Sequence, residues 1–420
     1  MPICWRRQRS CFTNFINHSP RLRDMHRRTL LKSSLLATSL ASGVQLHAAG
    51  TTQNRFLLVF LRGGYDAANL LVPTSSDFYY EKRPTIAIAR PDPGNLQSSI
   101  PLDANWGLHP ALRESVAQLF AKREAAFIPF AGTNDTSRSH FETQDSIEAG
   151  LATQSMGVVS SGFMNRLAQV LGGTPISFTD ALPTVFKGEL AVANISLKGV
   201  GKPAFDLRQS SVLAGMYQGH RLETPAREGL DLRQEVAREF DQEMQMANRG
   251  AISAKGFETE ARRIARLMRE RYQLGFVDIG GWDTHVNEGG AQGTLANNLA
   301  DLGRGLSGFA QEMGPAWKQT TVLVVSEFGR TLRENGTRGT DHGHGTVYWA
   351  LGGGLGAAGG KVIGDQQLVN QSTLFQNRDY PVLNEYREVL AGLFSRMYGL
   401  SSNDLERVFT GVKPRDLGLI

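Results

Sequence analysis

Thr321-Val322-Leu323-Val324-Val325 runs straight into Ser326-Glu327-Phe328-Gly329-Arg330-Thr331, and Gly339-Thr340-Asp341-His342-Gly343-His344-Gly345 follows shortly after. A short apolar run rich in β-branched residues predicts a strand buried on both faces, as in a parallel sheet. Carboxylates and imidazoles just beyond such a strand lie at its C-terminal edge, where open α/β sheets place their ligand sites. Hard oxygen donors beside borderline nitrogen donors suit a divalent metal ion. Glu327, Asp341, His342 and His344 are therefore candidate ligands. His342 and His344 alternate about Gly343, so in extended backbone they share a face.

Working outward, the same pattern recurs. Strands are predicted over 55–61, 125–130, 274–279, 320–325 and 347–351. Helices are predicted over 109–123, 227–271 (broken near Gly250), 295–317 and 385–398. Strands alternating with helices predict a parallel sheet covered on both faces. The less regular stretch from about 150 to 250 is a candidate cap or insert. Three further motifs follow strands. Arg62-Gly63-Gly64-Tyr65-Asp66 places Asp66 at a strand end, either as a metal ligand or as a helix cap. Ser139-His140-Phe141 opens a helix, where free backbone N–H groups and the positive dipole end stabilise an anion. Ser139 is the preferred nucleophilic hydroxyl, with Ser137 and Thr133 behind it. Gly280-Gly281-Trp282-Asp283-Thr284-His285 offers Asp283 and His285 as a ligand pair. Only six histidines lie beyond residue 49, and His140, His285, His342 and His344 all fall in such motifs. Leu351-Gly352-Gly353-Gly354-Leu355-Gly356 lacks the dinucleotide-binding spacing and reads as a turn.

The first 49 residues read as a leader. His26-Arg27-Arg28-Thr29-Leu30-Leu31-Lys32, a mildly apolar stretch to Val44 and His47-Ala48-Ala49 have the layout of a twin-arginine (Tat) signal peptide. Met25 is a natural initiator within it. The whole chain carries 45 Lys+Arg and 40 Asp+Glu; eight of the bases and one of the acids (Asp24) precede residue 50, leaving 37 minus 39, or −2. The basic character belongs to the leader, so it does not argue for nucleic-acid binding. Both cysteines, Cys4 and Cys11, also lie there, which excludes thiol catalysis, zinc–thiolate sites and disulfides from the rest. The expected location is periplasmic or extracellular, without a transmembrane span in the mature form.

Arg27-Arg28, Leu61-Arg62-Gly63-Gly64-x-Asp66, Leu108-His109-Pro110, Ser139-His140-Phe141, Trp282-Asp283-Thr284-His285, Ser326-Glu327-Phe328-Gly329-Arg330-Thr331 and Asp341-His342-Gly343-His344-Gly345 together resemble the Tat-exported bacterial proteins of domain of unknown function family 1501. That family is grouped with the alkaline-phosphatase/sulfatase-like superfamily. The resemblance implies an α/β sandwich with a central, mostly parallel sheet. It also implies one or two divalent metal ions (zinc, manganese or calcium) at the sheet edge. Carried over residue by residue, the ligands are Asp66, Asp283, His285, Glu327 and one of His342 and His344, and the nucleophile falls within 133–139. Phe328 departs from the pattern, since it stands where a histidine ligand is expected; His342 is the candidate replacement.

The activity expected is an exported metal-dependent hydrolase of phosphate or sulfate esters. Ser139 attacks, His140 or His344 protonates the leaving group, and Arg62 and Arg330 hold oxyanion charge or pair with nearby carboxylates. The alternative is a non-catalytic envelope protein acting through a partner, possible because such proteins are often encoded beside a second exported protein. An exported oxidoreductase draws only on the Tat signal. The export machinery itself is the other expected partner.

Overall fold

The computed structural model describes residues 54–152, 160–197, 207–229 and 256–420. The expected leader and both cysteines lie outside them, as does much of the stretch from 198 to 255. Eleven strands are formed by the described residues: β1 (Arg55–Leu61), β2 (Leu71–Pro73), β3 (Ile100–Pro101), β4 (Trp106–Leu108), β5 (Ala125–Gly132), β6 (Pro175–Ser177), β7 (Ala193–Asn194), β8 (Leu274–Ile279), β9 (Thr320–Ser326), β10 (Thr346–Leu351) and β11 (Asn384–Glu385). Eight build the central sheet in the order β11-β5-β10-β9-β1-β8-β6-β7, and β2-β4-β3 form a small second sheet.

β1 and β9 are apolar along their length because both faces of the sheet are covered. Alternate residues of β1 point opposite ways. Leu57, Val59 and Leu61 face a core layer that includes Ile264, Ala265 and Met268 of the helix Phe257–Glu270, and Leu295, Leu299, Leu302 and Leu306 of the helix Thr294–Met313. Phe56, Leu58 and Phe60 face the opposite layer, with Phe163, Met164 and Leu167 of the helix Phe163–Leu171, and Leu390, Leu393 and Phe394 of the helix Tyr386–Tyr398. The fold is thus an α/β sandwich around a mostly parallel sheet.

The sheet is not wholly parallel. β10 runs antiparallel to both β5 and β9, while the pairs β1–β8, β1–β9, β6–β8, β6–β7 and β5–β11 are parallel. This reversal has a functional consequence. Leu61 is level with Ile279 on one side and Ser326 on the other, so β1, β8 and β9 end at one edge. β5 points the same way, and β10 begins at that edge. The residues just before β10 therefore meet the residues just after the other strands. Other expectations are adjusted by local chemistry. Residues 109–123 split into a 3₁₀ turn, Pro110–Leu112, and a short helix, Val116–Ala121; the His109 side chain caps Ala111 N–H and Ser115 breaks the run. Within the candidate cap, residues 160–197 supply a core helix and two strands of the central sheet. Among the described residues no helix is long and apolar enough to cross a membrane.

Candidate metal centre

Four segments converge at this edge. The loop after β5 leads into the helix His140–Ala149, and His140 is its first residue. The loop after β8 carries Asp283 and His285, the turn after β9 carries Glu327, and the loop before β10 carries His342. His140 Nε2 and His285 Nε2 each lie 3.0 Å from His342 Nε2. Asp283 Oδ1 is 2.9 Å from His285 Nε2 and 3.3 Å from His342 Nε2, and Oδ2 is 3.7 Å from His140 Nε2. Single donor atoms of His140, Asp283 and His342 fall within 4.8 Å of one another.

The outer ring nitrogens explain what these inner ones do. His140 Nδ1 meets the buried Glu327 Oε1 at 2.8 Å. His342 Nδ1 meets the Arg138 carbonyl at 3.1 Å, and His285 Nδ1 lies 3.5 Å from Asp341 Oδ1. Carboxylates and carbonyls can only accept, so each Nδ1 is assigned the proton and each Nε2 presents a lone pair. Three such lone pairs turned toward one another repel unless a cation stands between them. Carboxylate or carbonyl partners on the far nitrogen are what metal-ligating histidines use to fix ring and tautomer. The residues present therefore fit a metal ion, and Asp283 supplies the anionic donor.

The electrostatics agree. Burial pushes the Glu327 carboxyl up, but hydrogen bonds from His140, Gln144 and the Gly63 N–H hold it below the usual carboxylate range. Burial also works against ionised Asp283, and the Arg330 guanidinium outweighs it, holding the group down. Burial lowers His342, which keeps the ring neutral and able to donate its lone pair. Asp283 and the imidazoles are partly open to solvent, so one side of the centre is accessible.

The remaining candidates lie elsewhere or play other parts. Asp66 is fully buried and pairs through both oxygens with Arg83 (Oδ1–Nη2 2.9 Å), so its carboxylate is engaged away from the imidazoles. Its other neighbour is Glu288, whose Oε2 accepts from Thr284 and Thr340 hydroxyls at 2.9 and 2.8 Å. Burial and the Asp66 charge push Glu288 well above its ordinary range, so it stays protonated toward Asp66. His344 packs on the Phe375 ring, and burial lowers it to about 4; its ring belongs to that pocket and not to the cluster. Glu327 and Asp341 support histidines from outside the cluster.

Arg62 is held by Glu148 at 2.6 Å and Asp278 at 3.2 Å, the pairing alternative. It also donates to Gln144 Oε1 at 3.0 Å, and Gln144 in turn donates to Glu327. Arg330 is buried with its donors on main-chain carbonyls, Asp283 and, at 3.4 Å, His285 Nε2, which leaves none directed at an incoming oxyanion. Ser139 is the N-cap residue of the helix, yet its hydroxyl bonds no cap N–H. Phe328 does not ligate; its ring lies 4.9 Å from the His140 ring and 5.1 Å from that of His342, packing against both from one side. The sequence offered His140, with His344, as a proton donor, and it did not single out Arg138, Gln144 or Arg83. For Arg83, the signal was the need of a buried Asp66 for a cationic partner.

The sequence profile of one family, described as "Protein of unknown function (DUF1501)", matches residues 53–409. The chain belongs to that family. No curated protein matches the DUF1501 chain. Among solved structures, it is similar to Ps i-CgsB in complex with k-i-k-neocarrahexaose (9% identity, 84% of this chain, 73% of that chain, TM-score 0.39). It is similar also to a protein in the alkaline phosphatase superfamily from Vibrio parahaemolyticus (12%, 89% and 76%, TM-score 0.36). A third is a structure from work on the metabolism of multiple glycosaminoglycans by Bacteroides thetaiotaomicron (10%, 86% and 75%, TM-score 0.33). At these TM-scores the fold description rests on the sheet order and core of this chain alone.

Proposed function

We propose that this DUF1501 protein is an exported metal-dependent hydrolase of phosphate or sulfate esters, with His140, His285, His342 and Asp283 as the metal ligands. The convergence of three Nε2 lone pairs on one carboxylate carries the reading. Three nitrogens with one oxygen favour a transition metal, zinc above manganese, over calcium, which takes oxygen ligands. A divalent ion held there supplies Lewis acidity to an ester oxygen. The chain's own residues set the geometry. Glu327, Asp341 and the Arg138 carbonyl hold the three rings. Phe328 keeps water from one flank. Ser139, next to His140 with a hydroxyl that caps nothing, is the nucleophile candidate, and the helix N-terminus it occupies favours negative charge there. Export rests on the Arg27-Arg28 signal pattern.

A second reading is a non-catalytic envelope protein that keeps the metal and acts through a partner. It is favoured by one observation: Arg62 and Arg330 are both engaged by the protein, leaving little to bind an anionic ester. Full-length protein recovered from the envelope, loaded with zinc or manganese, and assayed against aryl phosphates and aryl sulfates separates the two. Turnover that disappears in His342→Ala supports the hydrolase; metal binding without turnover of either ester class supports the second reading.

A further inference from the structure

Arg330 sits in a cage of oxygen atoms. Its side chain is fully buried. Nε donates to the Gly64 carbonyl. Nη1 donates to the Thr340 carbonyl at 3.1 Å, and Nη2 to the Gly63 and Trp282 carbonyls at 2.6 and 3.3 Å. Nη2 also contacts Asp283 Oδ1. Four carbonyls and a carboxylate, drawn from three loops, thus surround one positive charge, and His285 Nε2 lies 3.4 Å from Nη1. Sets rich in oxygen hold hard metal cations in other settings. Here a guanidinium fills the space.

The cage is built closely. A Cβ on Gly63 would lie 2.6 Å from Asp283 N, and one on Gly343 would lie 2.5 Å from the Arg330 carbonyl carbon. The loops that form the cage can approach one another this nearly only because no side chain intervenes. Asp283 joins the cage to the imidazole cluster: the same Oδ1 that meets Arg330 lies 2.9 Å from His285 Nε2 and 3.3 Å from His342 Nε2. A carboxylate placed between two cation positions is the arrangement of a two-metal site.

We propose that Arg330 is a permanent second cation, so that the protein binds one transition-metal ion at the imidazoles and has no room for another. This rests on the metal-centre reading above. The guanidinium is part of the chain, so the cation in the cage does not dissociate as a bound ion can. Asp283 then keeps a cationic partner when the metal leaves, and the three loops stay together in the metal-free protein.

The test counts manganese on the full chain by equilibrium dialysis with elemental analysis, and reads its electron paramagnetic resonance spectrum. Wild type and Arg330→Lys, which keeps the charge, should bind one ion per chain with the spectrum of an isolated ion. Arg330→Ala and Arg330→Gln remove the charge; whichever remains folded by circular dichroism should bind two ions, with a spin-coupled spectrum. Two ions on the wild type, or one on a folded neutral variant, would overturn the proposal. No ion on the wild type sinks the metal-centre reading itself. If neither neutral variant folds, a second ion on Arg330→Lys overturns the proposal, and a single ion there and on the wild type supports it.

Discussion

Glu327 and Asp341 bear on the centre at one remove, and that separates their predicted effects from those of the ligands. Glu327 accepts from the far nitrogen of His140, and Asp341 lies 3.5 Å from that of His285. Glu327→Gln and Asp341→Asn should therefore weaken metal binding about 10–100-fold without abolishing it, as partners of this kind do elsewhere. His342→Ala removes a donor and should weaken it far more. Competition with a chromophoric chelator measures all three, and equal losses in ligand and supporting variants would contradict the assignment. Glu288 makes a separate prediction for stability. Its folded-state pKa is shifted upward by burial and by Asp66, so the folded chain holds a proton that the unfolded chain releases. That cost is absent below the unfolded carboxyl range and grows as pH rises toward the folded value. Glu288→Gln keeps both threonine bonds through its oxygen and can donate to Asp66 through its amide. It should raise the melting temperature at neutral pH, with the gain shrinking as pH falls; a gain that does not depend on pH would count against a shared proton. Asp283, His285 and His342 were legible in the sequence because each follows or precedes an apolar strand within a few residues. The Asp66–Arg83–Glu288 group was not, because its members are brought together only by the fold and carry no local spacing.

At the scale of elements, the centre exists because strands of opposite direction share an edge. Five strand positions could be read from apolar, β-branched runs, since burial on both faces forces that composition. The direction of β10 could not, because an apolar run looks the same in either sense. Yet β10 must be antiparallel for the His342 loop, which precedes it, to meet the loops that follow β5, β8 and β9. Those loops meet at glycine. Gly63 has φ +127°, a conformation side chains rarely adopt, and its amide donates to Glu327 Oε1 at 2.8 Å. Gly63→Ala should therefore cost more than about 1 kcal/mol, because the strain of positive φ adds to the clash with Asp283. It should also weaken metal binding by tilting Glu327 and Asp283 together. Thermal melts paired with metal titration check both; loss of stability with unchanged affinity would show that the loop contact is structural only. Ser139 lies at another such junction. Its hydroxyl caps no N–H, so Ser139→Ala should cost less than the usual 0.5–2 kcal/mol, roughly, of a lost cap. Loss of turnover with metal content intact would then mark it as the nucleophile.

At the scale of the whole molecule, a metal ion would tie together segments from residue 140 to residue 342 that otherwise meet through the sheet and Arg330. Because the imidazole cluster is assembled only in the folded chain, bound metal stabilises folding by mass action, by about 2.7 kcal/mol when the free ion is at 100 times its dissociation constant. Chelation should lower the melting temperature, and added zinc or manganese should restore it in a concentration-dependent way. The loss should be a shift and not a collapse. Arg330 still bonds the carbonyls of Gly63, Gly64, Trp282 and Thr340 when the ion is gone, so the edge of the sheet keeps its internal cation. Two core layers packed on either side of the sheet are likewise untouched by chelation. Far-ultraviolet circular dichroism should accordingly be unchanged between loaded and chelated protein while the melting curve moves. His342→Ala should melt at the temperature of the chelated wild type and gain nothing from added metal. A chelator-sensitive melt that persists in His342→Ala would place the stabilising ion away from the imidazoles, and with it the centre on which the hydrolase reading depends.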